Sequence, residues 1–161
     1  MKILKRIGII DIGSNSIRLV VFDGPKRSPL YLYNEKVFFR LGLQSFGKKA
    51  FDTATLKAVS RIINRYVAIC RNMEINKIIM FGTSALREAS NSNVLVEVIR
   101  KKTNIGVDVI SGEEEAFYAA QGILLGFPNA DGIICDLGGN SVEFANICKR
   151  VVTECNSTLL G

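Results

Sequence analysis

Two short stretches carry residue types that could do chemistry. Asp11-Ile12-Gly13-Ser14-Asn15-Ser16 sets a carboxylate just before a turn of small polar residues. Asp136-Leu137-Gly138-Gly139-Asn140-Ser141-Val142-Glu143 copies it, with Asp11, Gly13, Asn15 and Ser16 falling on Asp136, Gly138, Asn140 and Ser141. Small residues beyond a strand free backbone N–H groups and let a phosphate come close to them. Two such turns, one from each of two lobes of common design, would grip one phosphoryl group from both sides. Asp11 and Asp136, with Glu143, could hold magnesium directly or through water. One glycine-rich turn alone says little, because turns use these residues anyway. Repetition of the carboxylate at the same place is what favours a ligand.

The composition narrows the chemistry further. There is no histidine in the 161 residues. That rules out a Ser-His-Asp triad, a histidine phosphatase or a His-ligated metal within this chain, and leaves acid–base work to carboxylates, lysines or tyrosines. Any metal would take oxygen ligands, which suit magnesium, manganese or calcium. A net charge of +6 suits a polyanionic ligand. The basic residues are thinly spread and no reader motif accompanies them, so no nucleic-acid partner is expected. Cys70, Cys135, Cys148 and Cys155 form no Cys-x-x-Cys pair, which argues against structural zinc and for a reducing compartment. No apolar run is long enough for a membrane span. Met1-Lys2-Ile3-Leu4-Lys5-Arg6 leads straight into a strand, so no signal peptide is expected and a cytoplasmic location is.

Around these stretches the periodicity predicts an opening hairpin over 6–11 and 16–23, a third strand over 30–39, and a loop over 42–51. Gly42 to Lys49 nearly matches a phosphate-binding glycine-lysine loop, but Lys49 stands where the pattern requires Ser or Thr, so the match reads as chance. A helix over 53–73 follows, capped by Asp52 or Thr53, with Leu56, Val59, Ile63, Tyr66, Cys70 and Met73 on one face. A strand over 77–81 runs into Gly82-Thr83-Ser84-Ala85-Leu86-Arg87-Glu88-Ala89 and a short helical turn. A helix over 93–102 and a strand over 107–110 come next. Ser111 and Glu114 form a capping box for a helix reaching about 125. Three strands close the chain, after a hinge at Gly126-Phe127-Pro128-Asn129. The acidic first turn Glu113-Glu114-Glu115 would stabilise the helix dipole in any case. Spacing does not single out Glu115, and Arg87 could equally be a surface arginine.

Taken together, the two aspartate loops, the Thr83-Ser84-Ala85-Leu86-Arg87-Glu88-Ala89 turn and Ser111-Gly112-Glu113-Glu114-Glu115-Ala116 resemble the exopolyphosphatase/guanosine pentaphosphate phosphohydrolase (Ppx/GppA) family. The second and third of these motifs carry the specificity, since the aspartate loops recur throughout the wider actin-like ATPase superfamily. The resemblance implies an α/β actin-like (ribonuclease H-like) lobe with a mixed sheet and flanking helices. It also implies magnesium-dependent release of terminal phosphate from inorganic polyphosphate or guanosine pentaphosphate. In the family's terms Glu115 matches the catalytic base, Arg87 a phosphate contact, and Asp11, Asp136 and Glu143 the metal-associated carboxylates. Gly13, Ser14, Asn15, Ser16, Gly138, Gly139, Asn140 and Ser141 match its phosphate loops. Asn140 and Val142 depart from the usual second loop; Asn tolerates positive φ, so the loop shape is expected to survive.

The expected division is an N-terminal lobe over 1–126, then a hinge and an incomplete second lobe over 127–161 with no helix to cover its strands. Exposed edges of that sheet could be completed by another chain, as in a homodimer, or could aggregate. Two other functions share the loops: an ATP-dependent kinase of the same superfamily, and a shortened, inactive relative that binds phosphate or nucleotide.

Overall fold

The computed structural model describes residues 6–26, 28–45, 47 and 49–160. Phe46 and Lys48 of the glycine-lysine stretch, and the residues before Arg6, lie outside the described residues. The chain divides into two compact units, one up to Val109 and one from Ile110 onward.

The first unit opens with β1 (Ile7–Ile12), β2 (Ser16–Phe22) and β3 (Tyr31–Phe38), an antiparallel meander. The short helix α1 (Leu41–Ser45) falls where a loop was expected. Then come α2 (Thr53–Asn72), β4 (Lys77–Gly82), α3 (Ser84–Glu88), α4 (Ser92–Thr103) and the two-residue β5 (Asp108–Val109). The sheet order is β3-β2-β1-β4-β5, with β4 parallel to β1 and β5 parallel to β4. The sheet is therefore mixed, as the alternating helices and strands of the sequence predict.

Strand alternation puts Ile10, Ile12, Ile17, Leu19 and Val21 on one face, all fully buried. They share a core with Val59, Ile63, Tyr66, Val67 and Cys70 of α2 and with Leu95 and Ile99 of α4. Each such side chain stabilises the fold by about 1.5–3 kcal/mol on burial. The Tyr66 hydroxyl donates to the Ile17 carbonyl at 3.1 Å, which pins α2 to β2, and burial pushes its phenol pKa up. Asp52 caps α2 by accepting from the Thr55 N–H at 2.7 Å. Just before it, the Asn91 side chain both accepts from the Phe51 N–H at 2.8 Å and donates to the Phe51 carbonyl at 2.9 Å. That pair of bonds fixes the entry to α2 against the start of α4.

The second unit contains α5 (Gly112–Gly126), β6 (Gly132–Leu137), β7 (Ser141–Cys148) and β8 (Val151–Leu159), with the strands in the order β6-β7-β8, all antiparallel.

 In this sheet β8 (Val151–Leu159) and β6 both flank β7. Here the structure differs from the expected division. α5 belongs with the three strands, and the boundary between the units falls before this helix, not after it. Ala116 and Ala120, one turn apart, pack on Ala145 and Ile147 of β7, with Leu124, Ile134, Val152 and Cys155 around them. Alanine is small enough for the helix to lie close on the sheet, so the strands have a cover and a small core of their own. Among the described residues no helix is long and apolar enough to cross a membrane.

Candidate functional site

Each unit presents one of the repeated loops, and the two are alike in backbone as well as in sequence. In the first, the Gly13 N–H donates to the Ser16 carbonyl at 3.0 Å; in the second, the Gly138 N–H donates to the Ser141 carbonyl at 2.9 Å. A Cβ at either glycine would lie 3.2 Å from that same carbonyl oxygen. The turn is thus tight in both copies, and a side chain at either glycine would press on it.

The first loop is braced from outside. The Asn15 carbonyl accepts from the N–H groups of Phe39 and Arg40, both at 3.0 Å, and the Ser14 carbonyl accepts from the Gly42 N–H at 2.8 Å. Gly42 allows this approach, because a Cβ there would stand 2.9 Å from the Ser14 Cβ. The Ser14 hydroxyl is buried with no hydrogen-bond partner, as is the Ser84 hydroxyl. Leaving a buried hydroxyl unsatisfied costs about 1–3 kcal/mol, which an acceptor such as a phosphate oxygen would relieve. Ser84 opens α3 beyond β4, and β4 pairs with β1 so that Gly82 stands opposite Ile12. Two orphaned hydroxyls therefore follow the ends of adjacent strands. Arg87 lies on α3, half-exposed, its N–H bonded to the Thr83 carbonyl at 3.1 Å. Ser84 was not among the sequence candidates. Its signal was a polar residue directly after a strand end, which also fits an ordinary helix start.

Asp11 stands opposite Arg18 across the β1–β2 pair, on the sheet face away from the core. Arg18 donates from Nε to the Asn34 Oδ1 at 2.9 Å. The corresponding position in the second unit is Glu143, opposite Asp136 across β6–β7. The copies agree in their turn and differ in the partner facing the aspartate: a cation in one, a carboxylate in the other. This contrast was available from the hairpin register, yet Arg18 was missed because a basic residue aligned with Glu143 breaks the repeat of carboxylates.

In the second unit Asp136, Gly138 and Gly139 are exposed, Asn140 is half-exposed and Ser141 is buried. Glu143 is only 1% exposed. Its Oε1 accepts from the Ser157 hydroxyl at 3.0 Å, and its Oε2 lies 3.9 Å from where a Cβ of Gly138 would be. The carboxylate thus reaches from β8 to the floor of the loop. Ser111 and Glu114 complete the capping box in both directions, at 3.1 Å and 2.8 Å. That bond occupies the Glu114 carboxylate. Glu115 is half-buried one residue on. The Cys155 thiol is pushed up by burial and, secondarily, by the charge of Glu113.

Asp136 and Glu143 are carboxylates on directly opposed residues, and such residues share a sheet face. Oxygen donors of this kind suit magnesium. Among the described residues no group of three or more His, Cys, Asp or Glu gathers around a possible metal position. The pair fits magnesium as part of a ligand set, and Asp11 belongs to the other unit.

The paired loops on a mixed sheet with flanking helices define an actin-like ATPase fold. The sequence pattern of the Ppx/GppA phosphatase family matches residues 9–161, and the chain belongs to that family. A crystal structure of an exopolyphosphatase from Cytophaga hutchinsonii superimposes with a TM-score of 0.88 at 32% identity, covering 97% of this chain and 51% of that one. Exopolyphosphatase 1 of Mycobacterium leprae is 31% identical over 146 residues, which is 88% of this chain and 42% of the relative. A bifunctional 3-dehydroquinate synthase/phosphatase of Fusobacterium nucleatum is 29% identical over 150 residues, 84% of this chain and 22% of the relative. The chain thus spans about half of the solved structure's chain and less than half of the other two relatives.

Proposed function

We propose that this chain carries phosphoanhydride hydrolysis: release of the terminal phosphate from inorganic polyphosphate or guanosine pentaphosphate by attack of water. The observation that supports it best is the pair of aspartate loops closed by the same glycine-to-serine bond, in a member of a phosphatase family. Gly13, Ser14, Asn15 and Ser16, with Arg87, hold phosphate oxygens, and so do Gly138, Gly139, Asn140 and Ser141. The orphaned Ser14 hydroxyl is a donor ready for one of them. Glu115 orients the water and takes its proton as the oxygen bonds to phosphorus. The bond to the bridging oxygen breaks, and the shortened chain leaves with the electron pair. Magnesium, held by Asp11, Asp136 and Glu143 when bound, would offset the negative charge on the phosphate oxygens. Reactions of this type depend chiefly on positioning and electrostatics.

Glu115→Gln keeps size and polarity but cannot accept the proton. Phosphate release with magnesium and either polyphosphate or guanosine pentaphosphate should fall by about 10²–10⁴-fold. Near-normal release by the variant would remove Glu115 from the role of base. ATP-dependent phosphorylation of a sugar or of acetate, with no phosphate release from either substrate, would instead make the protein a kinase.

A further inference from the structure

Glu143 cannot be placed by its own strand alone. It lies on the face of the second sheet that carries Ala145 and Ile147, beneath α5, and it is almost wholly removed from solvent. A buried carboxylate is tolerable only where donors meet it. Ser157 stands directly opposite on β8 and gives it one, from Oγ to Oε1 at 3.0 Å. That bond turns the other oxygen, Oε2, toward Gly138.

The same serine touches the helix above. A Cβ added at Gly112 would come within 2.3 Å of the Ser157 Cβ and 2.6 Å of its Oγ. Only glycine fits there, so the first turn of α5 rests on Ser157. Three residues after Gly112, in the same turn, is Glu115. One side chain therefore meets both the carboxylate under the loop and the helix start that bears the candidate base.

We propose that Ser157 is a positioning residue: its hydroxyl aims Glu143 at the second loop, and its methylene sets the seat of the first turn of α5. The inference rests on the phosphatase reading for the roles of Glu143 and Glu115; the contacts themselves do not. Hydrogen-bonding partners that orient a metal-binding side chain typically matter by about 10–100-fold in metal affinity.

Three variants of the 161-residue chain separate the two contacts. Ser157→Ala removes the hydroxyl and keeps the methylene. Gly112→Ala drives a methyl into Ser157. The double variant Gly112→Ala/Ser157→Gly moves the methyl across the contact, which clears the collision without restoring the hydroxyl. The probe is Mn²⁺, followed by its paramagnetic resonance at a temperature where circular dichroism shows each variant folded.

Ser157→Ala should bind Mn²⁺ about tenfold more weakly than wild type. Gly112→Ala should lower the melting temperature. The double variant should recover that melting temperature and still bind Mn²⁺ weakly, which a purely structural serine would not produce. Equal Mn²⁺ affinity in wild type and Ser157→Ala overturns the proposal and leaves the proposed function standing. A wild-type chain that binds no Mn²⁺ overturns the metal assignment of Glu143, and the role of Ser157 falls with it.

Discussion

Three consecutive glutamates open α5, and the structure gives them different work. Glu114 is held in the capping box, Glu113 lies near enough to Cys155 to influence its thiol, and Glu115 is half-buried. Glu114→Ala should destabilise the second unit by roughly 1 kcal/mol through loss of its bond to the Ser111 N–H, read as a shift in the urea midpoint. Glu115→Gln should leave that midpoint near wild type while removing turnover. The capping box was legible because it is local, a serine and a glutamate three residues apart. The partner of Glu143 was not. Ser157 lies on another strand, and the register irregularity between Asn146 and Ile147 helps decide which β8 residue faces it. Spacing along one strand carries no information about such a partner.

At the scale of elements, α2 was readable in full. Its apolar face repeats at helical spacing, and of the two cap candidates, Asp52 and Thr53, it is Asp52 that caps it. The bonds from Thr55 hold the Asp52 carboxyl below its ordinary value. A depressed folded-state pKa means this contribution is present above the unfolded value and is lost as pH falls through the folded one. Asp52→Asn keeps a capping oxygen that does not titrate. The stability advantage of wild type over this variant should therefore shrink on acidification below the usual carboxylate range, measured by urea unfolding at a series of pH values. α5 was harder to place. Its sheet-facing residues are alanines, while Phe117, Tyr118 and Leu125 are exposed, so hydrophobic periodicity did not show which strands it covers. Ala120→Leu should cost about 1–3 kcal/mol by overfilling that contact, seen as a lower melting temperature of the second unit.

For the whole molecule, the repeat in the sequence corresponds to two units with separate cores, one large and one small. Unfolding is expected to occur in two steps, the smaller core first, with calorimetry resolving two transitions; a single transition would show that the units are thermodynamically coupled. The cysteines offer a way to time those steps. Cys70 is buried in the first unit, where its sulfur would lie 2.8 Å from a Cβ at Gly8, and burial holds its thiol pKa up. Cys135 and Cys148 are exposed and Cys155 is half-buried, all in the second unit. A thiol reagent added to native protein should label Cys135 and Cys148 quickly and Cys155 more slowly, and Cys70 only when the first unit opens. The last thiol to react is thus a clock on the opening of one unit, kept by the closeness of α2 to β1.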